Sequence, residues 1–256
     1  MNAPVDGPSA EQQLRSTKMN LPIVDTFTPA FEDWETRDPT VQEALQAGSF
    51  HHRVPVRLRA TVSNAVEAAF FAAQGKDNAL RNFINRRLDE SLAFTAWRKA
   101  MPSSTPTELS RYRNSFPFYD LETVSAQINA LKQRLSEGQY LFHGGLWPGA
   151  DSLITNRPLS TSLCPQVALS NAYHNAKAFD AGRIDLWVLR VTAPRSHAFV
   201  FKRKGTNLGH ENEVLFAEGA HLSLVSEHIA CTDHCVGKYG YADKRIPVYV
   251  MSINIS

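Results

Sequence analysis

The sequence predicts an α+β protein in which helices come first and a mainly antiparallel sheet follows. Three observations carry that expectation. Between Ser63 and Ser136, apolar residues recur at three- and four-residue steps, as on the buried face of a helix. After Gly138, short apolar runs alternate with Gly, Pro and Asn punctuation, as strands and turns require. Only one helix-like stretch, around Pro165 to Phe179 with its proline in the first turn, interrupts those runs.

Taken in order, Met1 to Lys18 is polar, carries Pro4, Gly7 and Pro8, and has no period; it reads as a flexible leader over residues 1–18. His51 to Val62 alternates, with Val54, Val56, Leu58, Ala60 and Val62 on one side and Arg53, Arg57 and Arg59 interleaved. Pro55 assigns that strand to an edge or a bulge. Ala65 to Ala73 is alanine-rich and ends at Gly75, and Leu80, Phe83, Ile84, Leu88 and Leu92 continue the helical spacing. Pro102 and Pro106 mark a connection.

A helix is expected from Leu121 to Ser136, with Leu121, Val124, Ile128, Leu131 and Leu135 as its stripe. Asp120 would cap it and Gly138 would take the left-handed position after it. Strands are expected at Gln139–His143, Ile184–Val191, His197–Phe201, Val214–Phe216, Leu222–Ser226 and Pro247–Ile253. The chain then divides into the leader, a mainly helical lobe over 19–138 and a strand-rich core over 139–256.

The 256 residues are 43% hydrophobic and 20% charged, which suits a globular protein with a substantial core. The formal charge of +2 neither demands nor excludes a nucleic-acid partner, because a local basic patch can hide in a near-neutral total. No run approaches the ~18 apolar residues of a membrane helix, and Met1 to Arg15 has no apolar stretch of the secretory type. Three cysteines, Cys164, Cys231 and Cys235, are too few for a disulfide framework, so a reducing, cytoplasmic environment is expected.

Three short motifs carry candidate chemistry. Tyr140-Leu141-Phe142-His143-Gly144-Gly145 is an apolar strand ending in a polar residue and two glycines. Glycine would let a ligand approach the backbone, although strand-end glycines are common. Pro158-Leu159-Ser160-Thr161-Ser162 sets three hydroxyls side by side. They could hold a sugar or orient a carboxylate, or simply cap the helix at Pro165. His210-Glu211-Asn212-Glu213-Val214-Leu215-Phe216 would, if extended, aim both glutamates at one face. Carboxylates so close raise each other's proton affinity; the alternative is a solvated edge strand with two surface acids.

In this order and spacing, the three motifs over about Gln139 to Ile253 resemble the NAD-binding core of ADP-ribosyltransferases, in particular the arginine–STS–ExE class of bacterial toxins and vertebrate ecto-enzymes. The resemblance implies an ADP-ribosyltransferase-like split sheet and an enzyme that transfers ADP-ribose from the co-substrate NAD+ to a macromolecule, without a metal. It implies that Ser160 contacts the nicotinamide ribose and orients Glu213, with Thr161 and Ser162 in support. Glu213 would be the catalytic glutamate and Glu211 the one that prepares the acceptor. Lys204 to His210 would form a loop that helps to choose the acceptor. The acceptor expected first is protein arginine, and nucleic acid next. A toxin or effector delivered into a target cell's cytoplasm, with a possible neutralising partner and no membrane span, is implied by the same resemblance.

One position departs from that class, which has arginine where this chain has His143. Histidine is shorter and only partly charged near neutral pH, and cannot form a bidentate phosphate clamp. In the diphtheria-toxin and poly-ADP-ribose-polymerase branch, a histidine contacts the adenine ribose and the following glycine backbone grips the carboxamide. His143 and Gly144 are expected to behave in that way; otherwise NAD+ binding is damaged and the domain is a binding module. A separate alternative is an NAD+ glycohydrolase, in which water replaces the acceptor.

Trp147 could line a base pocket or pack plainly, and Arg157 could supply the missing phosphate charge. His228, Cys231, His234 and Cys235 are metal-ligand types within one window, but a single such cluster reads more readily as free thiols than as a zinc site. Arginines 53, 57, 59, 81, 86, 87, 111 and 113 concentrate positive charge upstream and are the sequence's one hint of a nucleic-acid acceptor.

Overall fold

The computed structural model describes residues 20–75, 79–115, 118–205 and 208–256. The expected leader lies outside the described residues. The chain opens with β1 (Phe31–Arg37), α1 (Val41–Ala47) and β2 (Val54–Val62), where β1 and β2 pair antiparallel as a two-stranded sheet. Five helices follow: α2 (Ala65–Ala73), α3 (Ala79–Glu90), α4 (Leu92–Ala100), α5 (Thr107–Asn114) and α6 (Leu121–Leu131).

Local chemistry sets several of these boundaries. Thr40 and Glu43 form a reciprocal capping box on α1, and Asn64 accepts from Glu67 N–H at 2.9 Å to start α2. Asp120 caps α6 by accepting from Thr123 N–H at 3.0 Å. The helix ends at Lys132, in a left-handed conformation, rather than at Ser136. Leu135 keeps its buried place by pairing with Leu21, whose N–H donates to Arg134 O at 2.7 Å. The apolar stripe thus runs past the helix because the next turn of chain buries the same face as an extended segment.

The second half contributes β3 (Tyr140–Gly145), β4 (Ser152–Ile154), β5 (Leu159–Ser162), α7 (Pro165–Tyr173), α8 (Lys177–Ala181), β6 (Ile184–Val191), β7 (Ala198–Val200), β8 (Glu213–Phe216), β9 (His221–Val236) and β10 (Lys244–Ile255). These strands form one sheet in the order β4-β9-β10-β6-β3-β5-β8-β7. Every neighbouring pair is antiparallel except β10 with β6. The sheet is nearly divided, since β3 and β5 share a single register pair, Phe142 with Ser162. The fold is α+β with a split, mainly antiparallel sheet. One buried core runs through both halves of the chain, from Leu21 to Ile255.

The single helix expected at Pro165 to Phe179 is broken, because Asn175 and Ala176 take positive φ values of 57° and 59°. The strands expected at 222–226 and 247–253 are longer, and join as a hairpin whose outer part is largely exposed. Polar residues such as Glu227 and His228 interrupt the apolar pattern there without interrupting the ladder.

Candidate functional site

Ser160 and Ser162 share one face of β5, and Thr161 takes the other. Ser162 is opposite Glu213 in the β5–β8 register, and Ser160 is its diagonal neighbour. The Ser160 hydroxyl donates to Glu213 Oε1 at 2.7 Å. The Ser162 hydroxyl donates to Glu211 O at 2.6 Å, and Thr161 donates to Val214 O at 2.6 Å. Ser160 therefore meets the carboxylate directly, while Thr161 and Ser162 fasten the backbone on either side of it.

Glu213 is buried, at 7% exposure. Its Oε2 accepts no hydrogen bond among the described residues, and Arg113 Nε lies 3.5 Å from it. Burial pushes the Glu213 carboxyl up to about 7, with the Glu211 charge adding to the rise; the Ser160 hydrogen bond and the Arg113 charge oppose it. Tyr112, next to Arg113 in α5, is also held well above its usual range, by burial and then by the Glu213 charge.

The two glutamates are not on one extended strand. Glu211 ends a short 3₁₀ turn (Gly209–Glu211), Asn212 has φ 50°, and β8 begins only at Glu213. The period-two argument therefore fails here, for a physical reason. Gly209 packs so tightly that a Cβ would sit 1.5 Å from Arg203 O. Asn212 is tied by Arg203 Nε at 2.6 Å and, through its own amide, to Asn85 Oδ1 at 2.9 Å. Glu211 nevertheless acts electrostatically on both Glu213 and Arg113.

His143 stands on β3, opposite Trp187 of β6. Its Nδ1 lies 2.7 Å from Ser160 O, which can only accept, so Nδ1 carries the proton. Burial, opposed by that hydrogen bond and aided by the positive charges of Arg157 and Lys177, brings the ring down to about 4. Neutral His143 thus offers Nε2 as an acceptor. Trp187 lies 4.6 Å from the ring, Trp147 packs edge-on to Trp187 at 5.2 Å, and Trp187 Nε1 is buried with no hydrogen-bond partner among the described residues. Gly144 is required by packing: its Cβ would stand 1.9 Å from Ala168 O of α7. At Gly145 a Cβ would meet His143 Nε2 at 2.8 Å.

Arg113, Trp187, Arg203 and Asn85 are additions that motif spacing does not single out. Arg113 sits on α5, after the connection marked by Pro102 and Pro106, where Leu109 and Tyr112 at a three-residue step are the available helical signal. Of the upstream arginines, 53, 57, 59, 87 and 111 each lie within 4.0 Å of a carboxylate, so their charge is largely answered locally. His228, Cys231, His234 and Cys235 all lie on β9. Among the described residues no group of three or more His, Cys, Asp or Glu converges as metal ligands would. Cys231 and Cys235 instead donate to Asp233 and Asp243, and His234 stacks on Tyr173.

Comparison of the sequence with family profiles and with curated proteins finds no match. The solved structures to which this chain is similar include two described as ADP-ribosyltransferases. The Vis toxin of Vibrio splendidus is 15% identical over 86% of this chain and 88% of that one, with a TM-score of 0.30. C3larvin toxin of Paenibacillus larvae is 14% identical over 63% and 92%, with a TM-score of 0.35. Exoenzyme S of Pseudomonas aeruginosa, solved with human 14-3-3 protein beta and bound to carba-NAD, is 13% identical over 73% of each chain, with a TM-score of 0.29. Likenesses this distant assign no residue roles, which have to come from the geometry around Glu213 and His143.

Proposed function

We propose that this protein is a mono-ADP-ribosyltransferase that uses NAD+ as donor and Glu213 as the carboxylate that stabilises the reacting ribose. The observation that carries this reading is the state of Glu213: one oxygen is held by Ser160, and the other is buried, faces Arg113 at 3.5 Å and accepts no hydrogen bond among the described residues. A buried acceptor of this kind suits a hydroxyl of a bound sugar.

In the proposed reaction the bond between ribose C1′ and the nicotinamide nitrogen breaks, and nicotinamide leaves neutral with the electron pair. Positive charge grows on the ribose, and ionised Glu213, bonded to the 2′-hydroxyl, opposes it in a site where burial strengthens the interaction. An acceptor atom then bonds to C1′ and gives up its proton, for which Glu211 is the nearby base. Removing a single contact of this type costs on the order of 10²–10³ in rate.

Ser160 would orient Glu213, with Thr161 and Ser162 holding its strand and turn. Neutral His143 would accept from a ribose hydroxyl at Nε2, and the backbone at Gly144 would meet the carboxamide. The diphosphate would then meet Arg157 and Lys177, whose charges reach His143, rather than His143 itself.

The test is incubation with adenine-labelled NAD+ and whole-cell lysate, separated into protein and nucleic-acid fractions, beside a Glu213→Gln control. Label on a macromolecule, absent from the control, is the expected result. Free ADP-ribose alone would identify a glycohydrolase, and intact NAD+ would leave a binding domain.

A further inference from the structure

Where the chain leaves β7, it forms with α3 and α4 a groove of about 580 Å³. Its charged lining is Arg98, Lys99, Lys202, Arg203 and Lys204, with Asp89 as the one acid. Five cations face one carboxylate, in a chain whose formal net charge is only +2. Arg203 bonds Asp89 at 2.6 Å and Lys204 approaches the same carboxylate at 3.6 Å, so two of the five cations share the one acid. Lys204 is 83% exposed and Lys99 is exposed as well. The lining also includes the apolar, largely buried Phe94 and Met101, with the Arg203 guanidinium 5.9 Å over the Phe94 ring.

The groove adjoins the candidate site. Phe201 N–H donates to Glu213 O at 3.1 Å, and Lys202 is the next residue. Arg203 bonds Asn212, the residue before Glu213.

We infer that this groove binds the phosphate backbone of single-stranded nucleic acid and brings it to Glu213 as the acceptor. A cationic lining that also includes apolar side chains matches a chain with charge on its outside and flat faces within. An acidic peptide would satisfy the cations but has no repeating flat groups for the apolar side chains. An arginine-bearing acceptor would meet like charge. The acceptor role rests on the proposed transferase activity; binding does not.

The experiment measures fluorescence anisotropy of labelled 12-nucleotide single-stranded RNA and DNA with the full chain, from about 50 to 200 mM salt. A double variant, Lys99→Ala with Lys204→Ala, is run beside it after its fold is checked by circular dichroism. Binding of either oligonucleotide that weakens steeply with salt, and at least ~10-fold in the variant with a salt slope shallower by about 1–2, is expected. Equal binding by variant and parent would overturn the inference, as would preference for a poly-glutamate peptide of equal charge. NAD+ consumption by the same parent preparation is scored separately. Cleavage without oligonucleotide binding sinks the groove alone, and binding with NAD+ left intact keeps the groove but removes its acceptor role along with the transferase reading.

Discussion

Arg113 Nε lies 3.5 Å from Glu213 Oε2, and both side chains are less than a tenth exposed. The same guanidinium donates to Leu208 O and lies over the Phe201 ring at 4.7 Å. One side chain of the upstream helices therefore grips the loop before β8 and faces the carboxylate at its start.

Arg113→Met should leave Glu213 harder to ionise. The pH midpoint of NAD+ cleavage is expected to move up by about 1 unit or more, with a matching loss of rate at pH 7. Arg113→Lys keeps the charge and should recover part of the shift. A variant slowed equally at every pH would mean that Arg113 only supports the fold.

The parent protein's own pH profile depends on the same group. The working form is the carboxylate, and burial holds its midpoint at about 7. Values of kcat/KM should rise from pH 6 to 8 and then level, falling roughly tenfold per unit on the acidic side. A midpoint near 4.5, the ordinary value for glutamate, would remove Glu213 from the rate-determining ionisation.

Stability should carry the opposite sign. Glu213 has a raised midpoint in the folded state, so its favourable contribution is complete below about 4.5 and lost as pH rises through about 7. Urea unfolding of Glu213→Gln, which lacks that ionisation, should therefore gain on the parent across this window, by at most about 3 kcal/mol. A difference between the two that does not change with pH would contradict the assigned burial.

His143→Arg installs the side chain that the related motif class carries. The ring's place is bounded by Trp187 and Gly145, and its Nδ1 is committed to Ser160 O. A longer, permanently charged group there is expected to cost about 2–4 kcal/mol of stability without tightening NAD+ binding. Calorimetric titration and thermal melting check both parts. A tighter and equally stable variant would mean that the phosphates approach this position after all.

The sheet of the second half is legible in the sequence because β6, β7 and β8 are short, predominantly apolar runs bounded by turn residues. Ser160 and Glu213 are legible as residue types, and strand pairing brings them together. Arg113 is not. It stands after Pro102 and Pro106 in a helix of only eight residues, whose packing partner is a hundred residues away in sequence. The bend at Asn212 is equally hidden, since a left-handed residue fixed by Arg203 and Asn85 is a tertiary effect with no local period. Gly144 stands out in the sequence as a place for a ligand to approach, yet the demand for glycine there comes from α7.

Strand β10 lies between β9 and β6, and β9 with β4 reaches the rest of the sheet only through it. Residues 244–255 thus follow every other strand of this sheet in chain order yet lie inside it. Until they emerge from the ribosome, β6 keeps a bare edge of unpaired amides and carbonyls, and β9 has β4 as its one strand partner in this sheet. A nick or stop codon before Lys244 would therefore do more than trim the molecule, because it would strand two of the eight sheet members while leaving the segment from Tyr140 to Phe216 intact in sequence.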